Sequence, residues 1–299
     1  MDKLGAQINH YKPLVQQILA SAETGYVFTS VDYHRQLMQK GRFAELNRNY
    51  VDEIIFRFHA ASLITLRRNL LWIESIEGSQ RNSNLFAFCA ALRGFIESSA
   101  DSFYSLRYAP QNLATYFTTI KSCINGKESQ RVHLFKQLED WGIHFIEAGK
   151  YENKVLKEDH FKAKSTWEYL KAIDSEKALK PVYPLYQKLC QITHPSRDTT
   201  YLFFRKTDEY IWGVCNIDEG REIAAIVQSH DTEYEEVFQK SFNTALIVLW
   251  IIDLLSIEGL RCPKIRAIDF TGIPEFNKVK KIISSNQTVH RIAGKSGSR

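Results

Sequence analysis

Three side chains within one apolar stretch can do chemistry together. Arg93, Glu97 and Asp101 recur at four-residue steps, so on a helix they share one side. Their setting, Phe86-Ala-Phe-Cys-Ala-Ala-Leu-Arg93-Gly94-Phe-Ile-Glu97-Ser-Ser-Ala-Asp101, is apolar over most of the helix circumference. Arg93 and Glu97 are therefore expected to face inward, and Gly94 lets another helix approach beside Arg93. A charged pair taken out of water is costly unless well matched, so it serves either structure or function. The plainer reading is a solvent-facing ladder of ion pairs, each contributing a few tenths of a kcal/mol. A second group lies in Tyr183-Pro-Leu-Tyr186-Gln-Lys188-Leu-Cys-Gln-Ile-Thr-His194-Pro195-Ser196. His194 closes that helical segment, where it can carry a proton, pair with a carboxylate such as Glu97, or simply cap free carbonyls. Arginine to hold phosphate charge, histidine as general acid or base and glutamate to orient it would make a metal-independent cleavage centre of Arg93, His194 and Glu97. Lys188 and Arg197 are expected to add weaker contacts to phosphate or nucleic acid. The competing reading is non-catalytic: an all-α interaction or scaffold protein in which the same three residues form a buried polar lock between helices.

Other chemistry is poorly represented. No Gly-x-x-x-x-Gly-Lys or Gly-x-Gly-x-x-Gly phosphate loop occurs. No His-x-x-x-His, His-Glu-x-x-His or Cys-x-x-Cys pair suggests a metal, and no Gly-x-Ser-x-Gly elbow suggests a serine hydrolase. Neither a cofactor nor a metal is expected.

Helical periodicity positions the candidate residues. Long amphipathic helices are expected over 44–76 and 84–107, joined by the turn Gly78-Ser-Gln-Arg-Asn-Ser-Asn as an antiparallel hairpin. Further helices are expected over 111–124, 130–148, 182–194 and 232–258, the last ending at Gly259. Residues 150–180 carry eight lysines and six acids and are expected to be exposed. In 200–215, aromatic and β-branched residues flank Lys-Thr-Asp-Glu, the signature of a small β-hairpin or irregular insertion near 200–230. The expected fold class is all-α, with 44–76, 84–107, 182–194 and 232–258 forming one bundle within a single domain over 1–277.

Charge and cysteine usage bear on partners and compartment. The chain has 299 residues and a formal net charge of +5. Residues 278–299 hold Lys278, Lys280, Lys281, Arg291, Lys295 and Arg299 with no acid, leaving 33 bases against 34 acids elsewhere. The body is electrically balanced, and 278–299 is expected to be a basic flexible tail. A nucleic-acid binder using that tail and 150–180 is a third reading. The run Ala245–Ile252 is far shorter than the roughly 20 residues of a membrane span, so no membrane partner is expected. Five scattered cysteines and no secretory signal point to free thiols in the cytoplasm.

The order of elements resembles bacterial HEPN-like all-α proteins, including abortive-infection and defence-associated relatives. The resemblance rests on Leu66-Arg-Arg-Asn-Leu-Leu-Trp-Ile-Glu74, Leu92-Arg93-Gly-Phe-Ile-Glu97-Ser and Tyr186-x-x-Leu-Cys-x-x-Thr-His194-Pro-Ser, within about 44–258. It implies a metal-independent ribonuclease or toxin-like effector in phage defence, acting on RNA as a homodimer or with a partner protein. Active relatives carry Arg-x(4–6)-His, with the residues of two subunits meeting at the dimer interface. Here Lys188 occupies the position with five residues between it and His194, and lysine lacks the bidentate fork of arginine. Arg93 on a neighbouring helix is the candidate replacement.

Overall fold

Apolar residues at three- and four-residue steps are realised as helices throughout a computed structural model that describes residues 3–149, 159–174 and 181–296. The architecture is all-α with one antiparallel β-hairpin. In chain order the helices are α1 (Lys3–Ser21), α2 (Val31–Gln39), α3 (Phe43–Arg81), α4 (Leu85–Leu106), α5 (Ala109–Ile124), α6 (Lys136–Glu147), α7 (Thr166–Asp174), α8 (Tyr183–Thr193) and α9 (Arg197–Phe203). Strands β1 (Phe204–Asp208) and β2 (Ile211–Val214) follow, then α10 (Glu219–Ser229), α11 (Asp231–Phe238), α12 (Thr244–Leu255) and α13 (Pro274–Ser296). A π-helical turn, Gln239–Asn243, joins α11 to α12. Where one domain is expected over 1–277, the described residues gather into two compact units, each assembled from separated stretches of chain.

The first unit comprises 3–16, 65–104, 164–174 and 181–242. Its core is aromatic: Tyr11 of α1 stacks on Phe242 at 4.9 Å between ring centroids, and Phe95 of α4 meets Phe238 of α11 at 4.7 Å. Each such ring contributes about 1.5–3 kcal/mol through burial. The start of α4 is held from two sides. Asn84 Oδ1 accepts the Ala87 N–H at 2.9 Å, and Glu219 of α10 accepts the Leu85 N–H at 2.7 Å. A carboxylate there also meets the positive end of the helix dipole. The hairpin pairs Phe204 with Val214 and Lys206 with Trp212, and its register shifts between Lys206 and Asp208.

The second unit comprises 17–64, 105–149, 159–163 and 243–296. Here α5 packs against α12 and α13, burying Leu113, Phe117 and Ile120. Residues 278–296, expected as a flexible tail, are helical within α13. Phe276, Val279 and Ile283 lie three and four residues apart and are all buried, so Lys278, Lys280 and Lys281 ride on the exposed side of an amphipathic helix. The helix expected over 130–148 begins only at Lys136. Buried Asn47 explains the delay: its Nδ2 donates to Glu128 O and Arg131 O at 2.8 Å, and its Oδ1 accepts the His133 N–H at 2.9 Å. Those backbone groups are thereby withheld from a helix.

One further expectation changes. Residues 150–158 and 175–180 lie outside the described residues, but α7 buries Leu170, Ala172 and Ile173, so this part of the supposedly exposed segment belongs to a core. Among the described residues, Asp231–Leu255 is the one helix long and apolar enough to cross a membrane. Its apolar window is 72% buried, which is the condition of a core helix.

Candidate functional site

Arg93 and Glu97 sit on α4, one turn apart, and Arg93 Nε lies 3.2 Å from Glu97 Oε1. Both side chains are about one-third exposed, at 26% and 36%. The expected inward burial is therefore incomplete: the pair lies at the margin of the unit, within reach of water. Beside it the close approach foreseen at Gly94 is filled by Trp72 of α3, whose indole covers the glycine.

α8 delivers His194. Pro184 sits in the first turn, where its missing N–H is harmless. Pro195 disfavours helical backbone at the residue before it, and His194 takes φ −104°, ψ 152° at the helix end. Its N–H still donates to Cys190 O at 3.0 Å. The corner that follows is tied down: Ser196 Oγ donates to Gln191 O at 2.6 Å, and Thr199 Oγ1 lies 2.9 Å from His194 O.

These elements bring together residues a hundred positions apart. Arg93 Nη1 lies 2.8 Å from His194 Nε2 and donates to Thr193 Oγ1 at 3.1 Å. A guanidinium can only donate, so His194 Nε2 is the accepting nitrogen and the ring hydrogen is on Nδ1. Among the described residues, the two N–H groups on Arg93 Nη2 have no partner. Glu97 does not touch His194. Its partners are Arg93 and Tyr186, whose hydroxyl donates to Glu97 Oε1 at 2.8 Å. The role expected for Glu97, orienting the histidine, is thus exerted through the guanidinium. Burial, then hydrogen bonds to Glu97 and Cys190, pushes the Tyr186 hydroxyl well above its ordinary range, so it remains a donor.

Asp101 leaves the group. Eight residues along a helix is about 12 Å, and Asp101 instead pairs with Arg68 of α3 at 2.9 Å. Arg68 also donates to Ser98 Oγ, which donates to Asn69 Oδ1 at 2.7 Å. Asp101 is part of an α3–α4 tether.

His194 and Arg197 line an open cleft of about 790 Å³ with Phe86, Ser196, Thr200 and Phe203. Phe86 and Phe203 stack nearly parallel there, 6.1 Å apart. Arg197 reaches over Tyr201, its Cζ 5.2 Å from the ring centre. Lys188 is exposed on α8, and its ammonium weakly opposes the burial that pushes the Cys89 thiol up to about 12. A thiol so protonated is no nucleophile.

Two participants carried no independent sequence signal. Thr193 and Tyr186 matter only because α8 lies against the polar side of α4, which a one-dimensional pattern does not specify. Among the described residues, no three His, Cys, Asp or Glu side chains converge as metal ligands. No protein-family model, curated protein or solved structure matches this chain.

Proposed function

We propose that the first unit carries a metal-independent ribonuclease centre of HEPN-like type, with Arg93 and His194 as catalytic residues and Glu97 positioning Arg93. The observation that carries this reading is the 2.8 Å approach of Arg93 Nη1 to His194 Nε2 beside an open cleft. A phosphate entering the cleft competes for the guanidinium, drawing Nη1 away and releasing the Nε2 lone pair. Nε2 then accepts the proton of a ribose 2′-hydroxyl as its oxygen bonds to phosphorus. The P–O5′ bond breaks, solvent protonates the departing oxygen, and the imidazolium returns its proton to solvent. Arg93 stabilises the extra negative charge on the phosphoryl oxygens. Arg197 and Lys188 supply outlying positive charge. In this reading the protein is a toxin-like phage-defence effector in the reducing cytoplasm, a setting supported by its five free cysteines, and two copies pair their centres.

The test is incubation with RNA in excess chelator, followed by analysis of the product ends. The expected products carry 2′,3′-cyclic phosphate and 5′-hydroxyl, and neither His194→Ala nor Arg93→Ala yields them. Products that persist in both variants, or a wild type that cuts nothing, contradict the reading.

A second reading is favoured by one feature: Glu97 balances the charge of Arg93, and His194 fills one of its donors, so the group is internally matched. As a polar lock of an interaction protein, it predicts no cleavage and a melting temperature several degrees lower in Glu97→Ala.

A further inference from the structure

The hairpin β1–β2 is exposed along almost its whole length, and its aromatic side chains are gathered on one face. Phe204 opposes Val214 and Lys206 opposes Trp212, so these four share a face of the ribbon. Trp212 stacks on Phe204 at 5.3 Å and 21°, and Tyr201 of α9 lies 6.1 Å from it, tilted by 49°. Tyr210 at the turn is 85% exposed, and Trp212 is 48% exposed. Burial in a core accounts for none of this: every β1 residue is open to solvent.

Cations are interleaved with the rings. Arg197 lies 5.2 Å from the Tyr201 ring centre, and Lys206 Nζ lies 6.0 Å from that of Tyr210. Of the nearby acids, Asp198 follows Arg197 on α9 and Glu209 shares the turn with Tyr210, both exposed. Asp208 pairs with Ile211, the neighbour of Trp212 and therefore on the opposite side of the ribbon, and Glu222 pairs with Arg205 of β1, whose partner Gly213 belongs to that side too. The aromatic face thus carries two cations set against its rings, Arg197 and Lys206. It is also continuous with the cleft: α9 contributes Arg197, Thr200 and Phe203 to the cleft lining and Tyr201 to the platform.

We infer that this face is a binding platform for single-stranded nucleic acid, whose unpaired bases stack on Trp212, Tyr210 and Tyr201 while Lys206 and Arg197 meet the phosphates. Flat rings alternating with cations match the alternation of base and phosphate along a single strand. A duplex hides its base faces and offers no such match. The inference deepens the ribonuclease reading by assigning a strand-holding surface beside its cleft. It names unpaired nucleic acid as the ligand.

The experiment uses the full chain and fluorescence anisotropy of a labelled single-stranded DNA of about twelve nucleotides. DNA lacks the 2′-hydroxyl, so binding is read independently of cleavage; single-stranded RNA with the His194→Ala protein and a duplex of the same sequence are run beside it. Single strands should bind and the duplex should bind more weakly. Trp212→Ala and Tyr210→Ala should each weaken binding by about tenfold, while Trp212→Phe, which keeps a ring, should stay within a few-fold of wild type. Lys206→Gln should lower the slope of log affinity against log salt by about 0.7. Binding unchanged in Trp212→Ala overturns the proposal, as does a preference for duplex. Loss of vesicle binding or of self-association in Trp212→Ala, without loss of strand binding, assigns the face to a membrane or a second copy instead. Hairpin-dependent binding by a wild type that cuts no RNA removes the ribonuclease reading alone. Cleavage that survives with unchanged binding in Trp212→Ala removes the platform alone.

Discussion

Alanine at Gly94, made with and without Trp72, measures the close approach on which the site rests. A Cβ on Gly94 would lie 2.6 Å from Trp72 Cη2 and Cζ2 and 2.8 Å from Cζ3. Carbon atoms in favourable contact keep about 3.5–4.0 Å, so the indole must withdraw by about 1 Å. Overpacking of this kind costs about 1–3 kcal/mol. The ring is 36% exposed and has room to move outward, which favours the lower half of that range. Against this, alanine gains about 1 kcal/mol over glycine in a helix interior. Gly94→Ala alone should thus be neutral or destabilise by up to about 1 kcal/mol. In a Trp72→Ala background the obstruction is gone, and the same change should stabilise by about 1 kcal/mol. Urea unfolding of the four proteins gives the coupling, expected at about 1–2 kcal/mol, with a shift in tryptophan emission only where Trp72 meets alanine. A coupling within about 0.5 kcal/mol of zero would refute the packing of α3 on α4 described above.

Other perturbations test the second unit and the site. Burial raises Asp52 from 3.8 to about 6 despite Arg48 beside it, and burial lowers His59 from 6.5 to about 4. The two act oppositely in acid. His59 stays neutral in the fold while the unfolded chain binds a proton, so its contribution declines by about 3 kcal/mol as pH falls from 6.5 to 4. Asp52 takes up its proton first in the fold, relieving about 3 kcal/mol over nearly the same interval. Asp52→Asn should therefore stabilise the protein at pH 7.5 and expose a steep acid decline that the wild type lacks. Parallel stability–pH curves for the two proteins would contradict this assignment. Asn47→Ala removes three hydrogen bonds to the backbone of 128–133; it should cost about 2–3 kcal/mol, with hydrogen-exchange protection lost in that segment, and unchanged exchange would count against the clamp. Tyr186→Phe deletes the donor to Glu97 and should cost about 1 kcal/mol while slowing cleavage only modestly, since the tyrosine acts through Glu97 and Arg93; a loss as large as that of His194→Ala would place Tyr186 at the reacting atoms.

Local rules carried the site further than the molecule. The Arg93–Glu97 pair, the space at Gly94 and the end of α8 before Pro195 follow from spacing and backbone sterics within a few residues. The fate of Asp101 does not, because its partner Arg68 lies on another helix and only packing selects it. α13 is another such case: its basic residues suggest a flexible tail, whereas Phe276, Val279 and Ile283 form a buried apolar stripe on a helix that packs against α5. α1 carries Pro13 within its length, which local rules read as a break, yet Leu4, Ile8, Tyr11 and Val15 bury one continuous face. The helix foreseen over 232–258 forms with a π-helical turn and ends at Ser256, in left-handed backbone at φ 58°, before Gly259. The division into two units depends on pairings between residues far apart in the chain, to which periodicity is blind.

We propose that Arg93 and His194 together cleave RNA without a metal. The most direct test is the single-turnover rate on a labelled single-stranded RNA in excess chelator, wild type against His194→Ala, with melting temperatures measured in parallel. The rate should be at least about 100-fold lower in His194→Ala at an unchanged melting temperature; equal rates in the two proteins would contradict catalysis by His194.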